Sequence, residues 1–197
     1  AVEVLPPQHV PDADEFNLAN SHALRAVGRM SGACGAFVSR ELSRDQVLPL
    51  APPDNFSLYY RVFGPILLLT TRQCLLAAPL RCSKKRTDEA CRTSCTRSLT
   101  LYDEKNIPFH IVKRPGFHTE VYNNAILAIP QALSALSGTI DRFVLDFRDL
   151  PFFSLSTAEK KTLYRWFSGH LAGRGGGQPE VLKKFSLTRG NYTRGLR

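Results

Sequence analysis

Four cysteines stand within 22 residues of this 197-residue chain, and a fifth, Cys34, lies far from them in the sequence. The four have the spacing C-x7-C-x8-C-x3-C and are Cys74, Cys82, Cys91 and Cys95. Clustered thiols can form disulfides, bind structural zinc or hold an iron–sulfur cluster. Disulfide scaffolds are usually shorter than about 100 residues and richer in cysteine than this chain. The segment is therefore more typical of metal-ligating or unligated thiols.

The spacing bears on which metal the thiols would bind. Structural zinc usually takes paired C-x2–4-C ligands, and only Cys91 and Cys95 approach that spacing. Iron–sulfur clusters accept more variable spacings, often with one ligand set apart. The arginines and lysines around the cysteines would favour thiolates and offset the negative charge of a cluster. The pattern favours a cluster, with zinc and unligated thiols as open alternatives.

The charge of the chain is concentrated at its C-terminal end. The net charge is +9, and the last 38 residues carry nine basic side chains against one acidic one. Such a surface attracts polyanions, most often nucleic acid. Within it, cations alternate with an aromatic ring in a pattern suited to phosphate contact and base stacking, at Arg189, Tyr192, Arg194 and Arg197. The alternatives are a solvated tail and a tail that docks on the protein's own acidic surface.

Two further residues are candidates for chemistry. Glu41 follows a predicted strand end, where barrel enzymes place active groups, although a carboxylate there could also stabilise a helix N-terminus. Arg148 lies between Asp146 and Asp149 and could bind an anionic substrate bidentately, or form a structural ion pair. The histidines lack metal-ligand spacing, and the sequence has no G-x-S-x-G elbow. Nucleophilic proteolysis therefore has little internal support.

The pattern of the sequence predicts strands that alternate with helices. The predicted strands are 35–39, 56–71 (two segments broken at Gly64 and Pro65), 108–114 and 141–150, with a strand-like start at 15. The predicted helices follow Asn20 or Ser21, Ser43 and Ser156, and a fourth covers much of 121–136. This alternation indicates an α/β fold with a largely parallel sheet. Four or five strands make about half of an eight-stranded barrel.

We expect two regions, a partial βα barrel over 1–155 that includes the cysteine segment 72–97, and a C-terminal helix with its basic tail over 156–197. No apolar run approaches the roughly 18 residues that a membrane span needs, so we expect no membrane association. The chain begins in the middle of a pattern, and its first residues lack the basic and apolar regions of a signal peptide. We expect a cytoplasmic protein, and a sequence that is part of a longer one.

Several blocks resemble the collagenase-like peptidase family U-32, in that family's order. They are "FNLANSHAL", "GAFVSRELSRDQV", "FGPILLLTTRQC", "VLDFRDL" and "TRGNYTRGL", which span residues 15–197. The resemblance is to the C-terminal half or so of the family domain. The chain departs from the family pattern at Arg40, where proline is usual, and at Asn191, where histidine is frequent.

The resemblance implies a fold and a chemistry. The fold would be the C-terminal half of a TIM-like βα barrel, and the four clustered cysteines would ligate a 4Fe–4S cluster. Better understood branches of the family act in the hydroxylation of ribosomal RNA or tRNA, with prephenate implicated as oxygen donor, and in ubiquinone hydroxylation. The cysteine segment and the following "KRPGFHTEVYN" look closest to the ribosomal-RNA branch.

Three functions follow as hypotheses, in this order: an iron–sulfur protein that acts in RNA hydroxylation, a metal-dependent peptidase, and a non-catalytic RNA-binding module with structural zinc. A half-barrel would expose sheet edges and apolar faces. We therefore expect self-association or a partner that supplies the missing N-terminal half.

Overall fold

The chain is a mixed α/β protein in a computed structural model that describes residues 2–3, 17–29, 33–84, 88–114, 116 and 118–195. The described strands are β1 Val2–Glu3, β2 Gly35–Phe37, β3 Ser57–Thr71, β4 Ser98–Tyr102, β5 Pro108–Lys113, β6 Thr119–Ala128, β7 Arg142–Leu145 and β8 Leu187–Thr188. The described α-helices are α1 Ser21–Gly28, α2 Arg44–Val47, α3 Glu89–Thr93, α4 Gln131–Ala135 and α5 Thr157–Leu171, and a 3-10 helix covers Glu180–Lys184.

The chain divides into two compact units. One, here called the parallel unit, comprises Ala1–Gly64, Leu127–Arg148 and Leu155–Arg197. The other, the cysteine unit, comprises Pro65–Ile126 and Asp149–Ser154. Strands β3 and β6 contribute residues to both units. Helix α5 and the described part of the tail belong to the parallel unit.

The parallel unit contains the parallel strands. Strand β3 pairs in parallel with β2, with Gly35 opposite Ser57, and with β7, with Tyr59 opposite Arg142. Strand β1 extends this sheet beyond β7, and Leu18 adds a parallel bridge to Val38 at the end of β2. Four chain segments therefore lie side by side in their order along the sequence: Leu18, β2, β3 and β7. The whole order is β1-β7-β3-β6-β5-β4, with β2 beside β3 and β8 beside β6.

The cysteine unit contains an antiparallel meander. Strand β5 pairs with β4, from Ser98 opposite Val112 to Tyr102 opposite Pro108, and with β6, from Phe109 opposite Asn123 to Lys113 opposite Thr119. The β4–β5 turn forms because the Asp103 carboxylate accepts hydrogen bonds from two backbone amides of the turn. The cysteine segment lies between β3 and β4 in the chain.

The core of the parallel unit is built on the first half of β3. Leu58, Val62 and Phe63 are completely buried, in the nearly continuous apolar run that is typical of a parallel strand covered on both faces. The Phe63 ring contacts Phe167 of α5, with ring centroids 5.6 Å apart. This contact holds α5 against the sheet.

Helix α5 begins with a complete capping box. The Ser156 hydroxyl accepts a hydrogen bond from the Glu159 backbone amide, and the Glu159 carboxylate accepts one from the Ser156 amide at 2.8 Å. Helix α2 begins in the same way, at Ser43 and Gln46. The sequence predicted both caps, and the structure confirms them, because capping depends only on neighbouring residues.

Replacing Ser156 with alanine should destabilise the protein by about 1 kcal/mol, because one amide of the first turn loses its acceptor. The measurement is the urea concentration at the midpoint of unfolding. The slope of the free energy of unfolding against urea concentration should not change. Thr193→Ala is a suitable control, because Thr193 is exposed and outside a helix. Equal midpoints for Ser156→Ala and wild type would show that the cap does not contribute to stability.

Three sequence-based predictions of the fold need correction. Residues 119–128 form β6 and not the start of a helix, because cross-strand pairing with β5 determines their structure and Pro130 delays the helix to Gln131. Residues 57–71 form one continuous strand and not two segments. The sheet is parallel only in part and, in the part of the chain that the structure describes, does not close into a barrel.

No described helix has the length and apolar character needed to cross a membrane.

Candidate functional site

The four clustered cysteines are free and half-buried in the cysteine unit, whereas Cys34 is exposed in the parallel unit. Cys91 lies on α3, which begins at Glu89 and is capped by Asp88, and the Asp88 carboxylate accepts a hydrogen bond from the Cys91 amide at 2.9 Å. Cys82 and Cys95 are fixed by backbone hydrogen bonds to the carbonyl oxygens of Ala77 and Ala90, at 2.8 and 3.1 Å. The thiols are thus held on a folded segment and are accessible in part.

Lys84 interacts electrostatically with two of these thiols, Cys82 and Cys91. Its ammonium lies 2.6 Å from the Asp88 carboxylate, and this hydrogen bond is the main reason why the pKa of Lys84 is raised. Negative charge on Cys91 or Cys82 raises that pKa further. The same hydrogen bond, followed by those from the Cys91 amide and thiol, lowers the pKa of Asp88 to about 2. Lys84 and Asp88 thus form an ion pair beside the part of the segment that carries Cys82 and Cys91.

Backbone hydrogen bonds attach the cysteine segment to the β5–β6 hairpin. The Gly116 amide donates to the Arg92 carbonyl oxygen at 3.0 Å, next to Cys91 in the chain. The Lys113 amide donates to the Arg97 carbonyl oxygen, also at 3.0 Å, two residues after Cys95. The end of the hairpin therefore lies against the part of the segment that carries two of the four cysteines.

The four thiols are of the chemical type that ligates zinc or an iron–sulfur cluster. All four thiols are free and partly accessible, and all four belong to the cysteine unit. Among the described residues, no three cysteine, histidine or acidic side chains are arranged to hold one ion. Four-cysteine ligation would therefore require these thiols to move closer together than they are.

Glu41 lies beyond the end of β2 in a small polar cluster of the parallel unit. Its carboxylate accepts a hydrogen bond from the Asn17 side-chain amide at 3.2 Å, and its own amide donates to the Ser39 hydroxyl. The Ser39 hydroxyl also donates to the Asn17 side-chain oxygen. Glu41 is exposed, whereas Ser39 is buried. The sequence analysis did not single out Asn17 and Ser39. The signal that could have found them was their place in the blocks "FNLANSHAL" and "GAFVSRELSRDQV".

Arg148 lies beyond the end of β7 and is oriented by Asp146. Its Nε atom is 3.0 and 2.9 Å from the two carboxylate oxygens of Asp146, and its backbone amide donates to the same carboxylate. Arg61 of β3, which is 4% exposed, places Nη1 3.2 Å from the Asp146 carboxylate. Sequence reasoning missed Arg61, although an arginine inside the apolar run "YYRVF" is a signal of a buried ion pair.

Glu41 and Arg148 lie at the same edge of the parallel sheet. Each follows the carboxyl end of a strand, β2 or β7, and both strands run parallel to β3 between them. The carboxyl edge of a parallel sheet is where ligands of α/β proteins usually bind. The edge offers one exposed carboxylate and one oriented guanidinium to a ligand.

The basic tail docks on α2 through Tyr192. The Tyr192 carbonyl oxygen accepts a hydrogen bond from the Arg44 amide at 2.9 Å, and the side chain is 5% exposed. Burial and then the neighbouring Tyr192 hydroxyl raise the pKa of Tyr60. Arg189 and Arg194 are exposed, and Arg197 lies outside the described residues. In this conformation the Tyr192 ring is not available to stack on a base, whereas the two described arginines are available to phosphates.

His110 belongs to an aromatic and polar cluster of the cysteine unit. Its ring stacks on Phe152, with centroids 4.2 Å apart and planes 6° apart, and its Nδ1 atom lies 3.1 Å from the Thr100 hydroxyl. Burial lowers the pKa of His110. The folded protein thus favours the neutral ring.

This shift predicts a loss of stability as the pH falls below about 6.5, the usual pKa of an unfolded histidine, because the unfolded chain then binds a proton that the folded chain resists. His110→Phe should keep the stacking on Phe152 and flatten the pH dependence of the free energy of unfolding between about pH 7 and 5. Thr100→Val should keep that dependence. If the free energy of unfolding of His110→Phe depends on pH as in the wild type, another titrating group causes that dependence.

Comparison with known proteins gives no relative: no family model, no curated protein and no solved structure matches the chain.

Proposed function

We propose that this chain is an iron–sulfur protein related to the C-terminal part of the peptidase family U-32, and that it acts in the hydroxylation of RNA, either ribosomal RNA or tRNA. The observation that carries the proposal is the set of four free, half-buried thiols on one folded segment, with Lys84 beside two of them. Unpaired, partly accessible cysteines with cations nearby suit metal ligation better than a role in the core.

The order of the parallel strands supports the finer proposal of half a TIM-like barrel. Leu18, β2, β3 and β7 lie side by side in chain order and in parallel, as successive strands of a βα barrel do. The other strands of such a barrel would come from the rest of a longer chain or from self-association. We propose the cytoplasm as the compartment, where unpaired thiols persist.

In this proposal Cys74, Cys82, Cys91 and Cys95 hold a 4Fe–4S cluster, which supplies one-electron redox chemistry when bound. Arg148, oriented by Asp146, binds a carboxylate of the oxygen donor, for which prephenate is the proposed compound. Glu41, exposed at the same edge, accepts or returns a proton. The exposed Arg189 and Arg194 contact RNA phosphates, and Arg197 contributes a further charge.

The test is anaerobic purification, followed by an absorption spectrum and by assays of iron, sulfide and zinc on one sample. We expect a brown protein with a broad band near roughly 400 nm and about four iron and four sulfide per chain. RNA from reactions with and without the oxygen donor is then examined by mass spectrometry for added oxygen. Colourless protein with about one zinc would favour the non-catalytic RNA-binding module. Protein cleavage lost on chelation would favour the metal-dependent peptidase.

A further inference from the structure

Lys113, the last residue of β5, carries a buried ammonium group. The residue is 3% exposed, and Nζ donates one hydrogen bond, to the His118 carbonyl oxygen at 3.1 Å. No carboxylate of the described residues forms an ion pair with it. Glu120, the acidic residue closest in the hairpin, pairs with Arg114 and accepts a hydrogen bond from Tyr122. Proteins rarely bury an ammonium without an opposite charge.

Thr119 adds a second buried polar group beside Lys113. It lies directly opposite Lys113 in the β5–β6 pairing, so the two side chains project from the same face of the sheet. Thr119 is completely buried, and its hydroxyl has no hydrogen-bond partner among the described residues. Two polar groups with spare donor capacity thus lie side by side, which is the arrangement that an anion satisfies.

The position of the pair indicates which negative charge it would meet. The Lys113 ammonium bonds His118, at the end of the hairpin where Gly116 is bonded to Arg92 next to Cys91. The Lys113 backbone itself is bonded to Arg97, close to Cys95. Both attachments lead to the cysteine segment, whose thiolates carry a net negative charge when four of them ligate a divalent metal or a cluster.

We propose that Lys113 and Thr119 are positioning residues of the metal site. They are not ligands themselves, but donate hydrogen bonds to the negatively charged group that the cysteines hold. This inference rests on the proposed metal binding by the cysteine segment. The ammonium supplies the opposite charge, and the hydroxyl supplies a hydrogen bond. Partners that surround metal ligands in this way typically contribute 10- to 100-fold to metal affinity.

The test uses the full chain, stripped of metal and reduced under anaerobic conditions, and titrated with Cd²⁺ in competition with a chelator. Thiolate-to-Cd²⁺ absorption reports ligation without any assay of activity. Lys113→Met should weaken Cd²⁺ binding about tenfold or more, Lys113→Arg by much less, and Thr119→Val by a few-fold. Lys105→Met is the matched control, because Lys105 is exposed in the β4–β5 turn of the same unit, and it should bind like wild type.

The outcomes separate this inference from the proposed metal site. If wild type binds Cd²⁺ and both Lys113→Met and Thr119→Val bind it equally well, the inference is overturned and the metal site stands. If wild type shows no thiolate–Cd²⁺ absorption, both proposals fall. Thr119→Val replaces the hydroxyl with a methyl group of similar size. It therefore decides the question if circular dichroism shows that Lys113→Met is unfolded.

Discussion

Replacing Cys91 with serine should remove the visible absorption and most of the iron from anaerobically purified protein. Cys91 is held on α3 by the Asp88 cap, and its thiol lies in the neighbourhood of Lys84. A serine hydroxyl stays protonated at neutral pH and ligates iron poorly, whereas a thiolate ligates it well. We expect iron to fall from about four to less than about one per chain, with parallel loss of sulfide.

Cys34→Ser is the matched control for this experiment. Cys34 is exposed and belongs to the parallel unit, so its replacement should leave iron, sulfide and absorption unchanged. Iron retained in Cys91→Ser at the wild-type level would remove Cys91 from the ligand set. Iron lost equally in both variants would indicate damage to thiols in general and not loss of a ligand.

Replacing Gly64 with alanine should be among the most destabilising single changes in the parallel unit. Gly64 has φ +136°, a conformation that residues with a side chain rarely adopt. A Cβ atom there would lie 2.5 Å from the Asp146 Cβ and 2.9 Å from the Asp146 carbonyl oxygen. Backbone strain and overlap act together, so we expect a loss of about 3 kcal/mol or more in the free energy of unfolding.

Gly138→Ala provides the control, since no atom of the described residues, apart from Gly138 and its chain neighbours, lies within 4 Å of a Cβ built there. Both variants are compared by urea unfolding under the same conditions. A stability of Gly64→Ala within about 0.5 kcal/mol of wild type would mean that the backbone relaxes there without cost. Relaxation of that kind would move Asp146, and with it the carboxylate that orients Arg148.

Local features of the fold could be predicted from the sequence, and features that depend on distant residues could not. Asn20, Ser43 and Ser156 were recognisable as caps because each accepts a hydrogen bond from the amide three residues ahead. Residues 119–128 were not recognisable as a strand, because their conformation depends on pairing with β5. Tertiary context overrides local propensity in such segments.

The candidate site shows the same division. The four cysteines and Arg148 stand out in the sequence by residue type and spacing. Arg61 joins Asp146 only because β3 and β7 are neighbours in the sheet, which no local pattern reveals. The buried position of Tyr192 was equally hidden, since it depends on a contact with Arg44 at the other end of the chain.

The way the two units divide the chain has a consequence for protein synthesis. The cysteine unit needs only residues from 65 to 154, most of them continuous, whereas the parallel unit is assembled from three separate stretches that extend from Ala1–Gly64 to Leu155–Arg197. Domains fold as units during translation as soon as their residues are available. The cysteine unit can therefore fold while the ribosome is still making the tail, and the parallel unit closes only when Tyr192 has emerged and reached Arg44.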